Sequence, residues 1–463
     1  MSDFDTILRG GTLITPTGIS LSDVAIAEGK IVALAKDLSG SAREEIDARN
    51  LHLFPGVIDA HVHFNEPGRA DWEGIETGSR ALAAGGGTCF FDMPLNAHPP
   101  TCDIASFDLK LAAAQNKSVT DFALWGGLVP HNLEQIERLA ERGVIGFKAF
   151  MSDSGIDDFP RADNATLRKG MKRAAGVGRL VAVHAESESM TQQLAQEKMT
   201  RGMTSARHYL DSRPIEAELE AIRNAVDMAG DVGCKLHVVH VSSAEGVSIL
   251  TDAKRRGADV SCETCPHYLI LTENDTLKLG AVAKCAPPLR PASERDALWE
   301  RVLAGEVTTI GSDHSPSPPE MKQNTNFFKA WGGISGVQHL LPLLIGAPEA
   351  IDHFGGHAGE TPALPDPALA LVAKLTSLNV AERFGLPKAK GRIAIGADAD
   401  FALVDFREKF TVRAEDLFYR HKQSPYVGRT LTGRVVQTIL RGQTIFKRGQ
   451  IVSQRRGELI KPL

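Results

Sequence analysis

Between residues 55 and 388 the chain alternates short apolar runs with amphipathic stretches, a rhythm that few folds accommodate. Eight apolar runs end in polar loops: GVIDAHVHF (56–64), GTCFFDMPLN (87–96), FALWGGLV (122–129), GVIGFKAFM (143–151), LVAVHAES (180–187), LHVVHVSS (236–243), VSCETCPHYLIL (260–271) and VTTIGSDHS (307–315). Between most of them lie stretches with apolar residues three to four apart, such as EGIETGSRALAA, NLEQIERLAERG, PIEAELEAIRNAVDMAG and SAEGVSILTDAKRRG, the spacing of one helix face. Strand alternating with helix makes a parallel sheet, because parallel neighbours need a long crossover between them. Eight such units predict closure into a (β/α)8 TIM-type barrel, with functional groups gathered where the strands end. An open doubly wound sheet is the alternative, but the chain lacks the GxGxxG of a dinucleotide binder.

The flanks have a different texture. ILRGGTLITPTG, SDVAIAEGKIVAL and EEIDARNLHLF near the start set β-branched residues between Gly turns, and GRIAIGADADFALVDF (391–406) and GRVVQTILRGQTIFKRGQIV (433–452) repeat the pattern near the end. The expected division is therefore 1–54 and 389–463 as the two halves of one small β-sandwich, with 55–388 as the barrel. The tract Gly346–Pro367, rich in Pro and Gly among acidic residues, reads as mobile and has no assignable role.

Charge and sulfur narrow the function classes. A net charge of −5 with scattered Lys and Arg argues against nucleic acid and anionic membranes as partners. No run reaches the ~18 apolar residues of a membrane span. The start, MSDFDTILRGG, has no basic and apolar leader, so a cytoplasmic location with free thiols is expected. Cys262-Glu-Thr-Cys265 is a CxxC, but no second pair completes a four-cysteine zinc site and it falls inside an apolar run. The Gly-rich stretch Ala84–Gly87 precedes a strand instead of opening a helix after one, which is the wrong context for a phosphate cradle. A second, Gly332–Gly336, is better suited to bringing backbone close to a ligand.

The run ends carry the chemistry. His61 and His63 close the first run, Lys148 lies in the fourth, His184 in the fifth, His240 in the sixth and Asp313 in the eighth. Residues i and i+2 of a strand share a face, so His61 and His63 present two imidazoles side by side. Singly, a strand-end His is a hydrogen-bonded scaffold group, a Lys can snorkel and Asp313 can be a turn residue. Six such groups at one rim of one barrel predict a metal centre.

Imidazoles and a carboxylate suit divalent first-row ions, zinc first, with iron, cobalt and manganese also compatible. Burial and nearby cations favour a neutral lysine amine. Such an amine can add carbon dioxide, and the resulting carbamate offers two oxygens to two ions. His61, His63 and Asp313 would hold one ion, His184 and His240 the other, with an N6-carboxylated Lys148 between them. A bridging hydroxide is then available near neutral pH, and Asp313 is the catalytic group that accepts its proton and passes it to a leaving nitrogen.

DAHVHFNEPGR, GFKAF, VHAES, HVVHVSS and GSDHSP resemble, in order and spacing, the cyclic amidohydrolases of the amidohydrolase superfamily. The resemblance runs from GVIDAHVHF to GRIAIGADADF and implies hydrolysis of an amide bond inside a small ring. It also implies the same ligand positions and bridging lysine, a barrel with a split β-sandwich, and a homo-oligomer, commonly a tetramer. Within the family the chain is most similar to the allantoinase branch, through EPGRADWEGIETGSRALAAGGGT, DMPLN, TCPHY, KCAPPLR, SDHSPSPPEMK, KAWGGISGVQ and YRHKQSPYVGR. The reaction this implies is opening of the hydantoin ring of allantoin to allantoate. Dihydroorotases carry Arg two residues after the second His, where it binds a carboxylate; Asn65 stands there, with Arg69 a substitute at most. Hydantoinases and dihydropyrimidinases carry Tyr five residues after the bridging lysine, where this chain has Asp153.

By the same resemblance, backbone near Ala286 and the Ser335 region would hold the ring amide, and Ser315 and Asp153 the ureido group. Dihydroorotase-type or hydantoinase-type hydrolysis is the alternative activity. A metal-free scaffold of the same fold is a more distant one, since all six expected ligands are present. Mononuclear deaminases of the superfamily usually lack the bridging lysine.

Overall fold

The computed structural model describes residues 2–357, 364–452 and 457–463. Eight parallel strands form its centre: Val57–Val62, Gly87–Asp92, Asp121–Leu124 with its continuation Gly126–Gly127, Phe147–Phe150, Val181–His184, Leu236–Val238, Val260–Thr264 and Thr309–Ile310. Each pairs in parallel register with its successor, for example Cys89 with Asp121, Phe147 with Val181, Leu236 with Val260 and Glu263 with Thr309. The ring closes where Val62 meets His314 in a parallel bridge and the His63 N–H donates to the His314 carbonyl at 2.8 Å. Asp59 reinforces the seam. One of its carboxylate oxygens accepts from the Ser312 N–H at 3.0 Å and from the His61 N–H at 3.2 Å. The fold is thus a (β/α)8 barrel.

Helices cover the barrel because their sequences carry one apolar face. The longest, Ile215–Val232, buries Leu219, Ile222 and Val226 at three- and four-residue spacing and ends at Gly233, whose φ of 66° is the left-handed conformation favoured after a helix. Ile75–Ala84 buries Ile75, Gly78 and Leu82. Gly78 is required there, since a Cβ would stand 2.4 Å from the Phe64 ring.

The apolar runs are longer than the ladders they feed. VSCETCPHYLIL is a strand only to Thr264; Pro266 then opens a helix, Pro266–Ile270. Proline at the first helical position has no N–H to leave unsatisfied, and this is the cue that the apolar run hides. The sixth ladder stops at Val238, two residues short of His240, and GRIAIGADADFALVDF is strand only from Phe401. In the tract Gly346–Pro367, Pro348–His353 is a helix with Ala350 and Ile351 buried, and Asp366–Ala373 begins another. Residues 358–363 lie outside the described residues.

Both ends of the chain enter one nine-stranded sheet. The join is antiparallel, between Phe401–Thr411 and His52–Pro55, with Leu403 opposite Leu53. On one side follow Thr430–Leu440, Gln443–Lys447 and Gln450–Ile451; on the other Phe4–Thr15, Gly18–Ala27 and Lys30–Ala35, with Ala42–Asp47 also paired to Phe4–Thr15. Leu8, Leu13, Val24, Ile26, Leu53, Phe401, Leu403 and Ile439 form its own apolar cluster. Among the described residues no helix is long and apolar enough to cross a membrane.

A buried charge cluster ties this sheet to the barrel. The Lys390 ammonium sits 2.7 Å from Asp121, at the foot of the third barrel strand, and 2.9 Å from both Asp398 and Asp400 beside the sheet. Burial would depress the lysine, but the three carboxylates hold its pKa well above the ordinary value. Arg441 pairs with the same Asp121. Removing one partner of a buried ion cluster strands the rest, which typically costs about 3–5 kcal/mol. Lys390→Met is therefore expected to lower the unfolding free energy by an amount in that range, measured by urea titration, whereas Lys447→Met at the exposed end of its strand should leave it nearly unchanged.

Candidate metal centre

The six side chains singled out in the sequence come from five strands and their continuations, and parallel register brings them to one mouth. Phe150 pairs with His184, placing Lys148 one step below it on the neighbouring strand. His240 and Asp313 lie just past their ladders with φ of 40° and 44°. That conformation is uncommon for residues with a Cβ and costs on the order of 1–3 kcal/mol each. Strain at two positions within one cluster is the pattern of a functional site.

His61, His63 and Asp313 present donor atoms all within 4.8 Å of one another. His61 Nε2 lies 3.3 Å from Asp313 Oδ1, and His63 Nε2 lies 3.5 Å from the same oxygen. On its other side the His61 Nδ1 is 2.7 Å from Glu263 Oε1. Donation of the Nδ1 proton to that carboxylate leaves Nε2 as a lone pair aimed at a carboxylate oxygen. Two acceptors face each other there, and a cation between them resolves the repulsion.

The other half repeats the logic. His184 Nε2 is 2.8 Å from Glu186 Oε2, so its Nδ1 is left as the acceptor, 3.1 Å from His240 Nε2. His240 Nδ1 has no hydrogen-bond partner among the described residues. Burial lowers the pKa of His63 and His184 and holds His240 well below the ordinary value, with Lys148 contributing. Phe150 stacks on His184, with ring centroids 4.6 Å apart and planes 11° apart, fixing the imidazole's face.

Lys148 is fully buried, and its amine has no hydrogen-bond partner among the described residues. Burial pushes its pKa down to about 7, although Asp313 and Glu263 pull the other way. Asp313 behaves oppositely. Burial alone would raise its carboxyl, but His61, His63 and His240 hold it far below the carboxylate range. Orphaned nitrogens, an ionised carboxylate and an amine near neutrality are a donor set that fits divalent ions.

The cluster opens into a cavity of about 370 Å³. Asp153, Ala286 and Ser315 line it, as do Asn96, Tyr209, Arg213, Lys284 and Trp331. Asp153 is exposed, and its carboxylate accepts from the Gly155 N–H at 3.0 Å. The Ser315 hydroxyl is 3.4 Å from the Asn96 amide. Ser335 stands outside the lining: it is buried, and its carbonyl accepts from the Ser424 hydroxyl at 2.7 Å, while Gly332 and Gly333 reach the wall in its place. Asn65 and Arg69 are also absent from the wall. The Arg69 guanidinium is spent on the carbonyl of Asn96 at 3.0 Å and lies 5.4 Å from the Trp72 ring.

Four groups that shape the site had no prominent sequence signal. Glu263 lies between the two cysteines of the CxxC, so an acidic residue inside an apolar strand was the available clue. Glu186 sits two residues after His184, the spacing that puts both on one face. Arg213 and Lys284 come from segments outside the strand runs. The Arg213 guanidinium pairs with Glu186, and Lys284 donates to the carbonyls of Phe327 at 2.7 Å and Ala330 at 2.5 Å.

The six cysteines are buried and free. Burial raises the Cys262 thiol to about 11 and holds Cys265 well above its ordinary value. Only the thiolate is nucleophilic, so iodoacetamide at pH 8 should leave the native protein unlabelled and modify six thiols once it is unfolded. Rapid labelling of Cys262 or Cys265 in the native protein would restore a redox reading of the CxxC.

A model of the amidohydrolase family matches residues 52–445. An allantoinase of Rubrobacter xylanophilus is 54% identical over 462 residues, covering 100% of this chain and 98% of the relative. One from Solibacter usitatus is 51% identical over 458 residues, covering 99% and 97%. Among solved structures, an L-hydantoinase (dihydropyrimidinase) from Arthrobacter aurescens superposes with a TM-score of 0.93 at 32% identity, covering 99% of this chain and 100% of that one.

Proposed function

The chain belongs to the amidohydrolase family, and from that premise we propose that it hydrolyses the hydantoin ring of allantoin to allantoate. The observation that carries this reading is the buried Lys148 amine, without a hydrogen-bond partner among the described residues, set among four imidazoles and Asp313. His61, His63 and Asp313 would hold one divalent ion and His184 and His240 a second, with Lys148 as an N6-carboxylysine between them. Zinc is the first choice of metal, with iron, cobalt or manganese compatible with the same donors. Bound ions would supply Lewis acidity toward the ring carbonyl and a water ionised near neutral pH.

The remaining work belongs to the chain. A neutral amine is the form that adds carbon dioxide, and burial keeps a large share of Lys148 in that form at pH 7. Asp313 stays ionised, so it can accept the proton of the attacking water and carry it to the departing ring nitrogen. Glu263 and Glu186 fix which nitrogen of His61 and His184 faces the centre. Ala286 backbone would hold the ring amide, with Ser315 and Asp153 placed to meet the ureido tail. Ser335, away from the wall, would act only by supporting the loop through Gly333.

Two features favour an uncharged ring over dihydroorotate. Asn65 and Arg69 do not reach the wall, and the buried cations that do are already engaged, Arg213 by Glu186 and Lys284 by main-chain carbonyls. Both relatives named above are called allantoinases and align over nearly their full lengths. The hydantoinase superposition makes hydantoin the second candidate; Asp153, where those enzymes resemble one another in carrying Tyr, counts against it. The same reading includes segments 1–54 and 389–463 as the shared terminal domain around a 55–388 barrel, a homotetramer, and a cytoplasmic setting that suits six free thiols.

The test is turnover of allantoin, hydantoin, dihydrouracil and dihydroorotate by one metal-loaded preparation. Allantoin should lead in kcat/KM by at least about tenfold, a gap of about 1.4 kcal/mol in transition-state binding. Preference for dihydroorotate would overturn the substrate and leave the ring-hydrolase class standing.

A further inference from the structure

The two halves of the centre are backed differently, and the difference lies in charge. Behind His61 stands Glu263, whose second oxygen is 4.0 Å from His237 Nε2 and has no hydrogen-bond partner among the described residues. Among the described residues no Lys or Arg pairs with it. Behind His184 stands Glu186, and a single oxygen, Oε2, meets both His184 and the Arg213 guanidinium. Both carboxylates are fully buried, and Arg213 is mostly so.

A carboxylate behind a ligating imidazole does two things for a cation: it sets the tautomer and adds a negative charge at short range. Glu186 performs the first as well as Glu263 does. The second is largely cancelled by Arg213, because a guanidinium on the same oxygen offsets the field that a cation beyond His184 would feel. The Asp313 carboxylate also stands with the His61 half, 3.3 Å from its imidazole. Two carboxylates with no Lys or Arg partner among the described residues therefore serve one half, and a carboxylate paired with a guanidinium serves the other.

We propose that Arg213 is a positioning residue that weakens the His184–His240 half of the centre, so that the two ions are held with unequal strength and this half empties first. The proposal rests on the ligand assignment made above. It gives Arg213 a role in metal retention distinct from any contact with the ring, although its side chain lines the substrate cavity.

The experiment uses the full-length, zinc-loaded protein dialysed against a chelator, with zinc per subunit followed by elemental analysis. The wild type should release about one ion per subunit first and the second at least about tenfold more slowly. Anomalous diffraction at the zinc edge from half-depleted crystals should place the remaining ion against His61 and His63. Arg213→Met should slow the fast phase several-fold, Arg213→Lys should stay close to wild type, and Glu186→Gln should speed the fast phase alone. Glu263→Gln should instead speed the slow phase, which separates a local charge effect from a general loss of folding. Release of both ions in one phase, a residual ion at His184 and His240, or an unchanged fast phase in Arg213→Met would overturn the proposal. Failure of the wild type to retain any divalent ion would instead remove the ligand assignment beneath it.

Discussion

Lone pairs converge at the mouth of this barrel in a space from which burial excludes most water. His61 Nε2 faces a carboxylate oxygen, His184 Nδ1 faces another imidazole nitrogen, and the Lys148 amine makes no hydrogen bond among the described residues. The first of these contacts sets two acceptors against each other, the second is a 3.1 Å hydrogen bond in which one ring nitrogen must donate, and burying an unpaired polar group such as the amine costs on the order of 1–3 kcal/mol. The chain accepts that cost in a part of the molecule where apolar side chains would pack without penalty. Divalent ions held there would relieve the facing acceptors, so that the site's stability and its chemistry would draw on the same charges.

The barrel is what makes such a cluster possible. Parallel register sets the ends of neighbouring strands at one level, and closure through Asp59, Ser312 and His314 fixes the first strand against the last. The two members of the cluster that leave the ladder early, His240 and Asp313, reach it by adopting left-handed backbone, a strain that the surrounding packing absorbs. The terminal sheet holds the opposite side of the barrel through Lys390 and its three carboxylates. Function is concentrated in loops, and rigidity is supplied by the ladders and the charge cluster beneath them.

Much of this was legible in the residues. The alternation of apolar runs with helix-periodic stretches foretold the eight-stranded parallel barrel because both periods are local properties. The six clustered side chains were legible for the same reason, each standing at the end of a recognisable run. What escaped was non-local. Glu263 and Arg213 act through partners on other elements, and the local cues for Glu263 and Glu186, an acidic residue in an apolar run and a spacing of two from His184, do not say which groups they meet. Pro266 turned the second half of an apolar run into a helix, a change that hydrophobicity does not register. In the Ser335 region it is Gly332 and Gly333 that line the cavity, and motif reading locates the loop without saying which of its residues does so.

The proposed hydrolysis requires that Lys148 be converted from a buried amine into an anion shared by two cations. A crystal structure of the protein loaded with zinc in bicarbonate buffer at neutral pH tests this most directly. The predicted result is continuous density extending the Lys148 side chain by a carboxyl group, with one anomalous peak beside His61, His63 and Asp313 and another beside His184 and His240. A lysine side chain ending at its amine, with zinc absent or bound elsewhere, would contradict it.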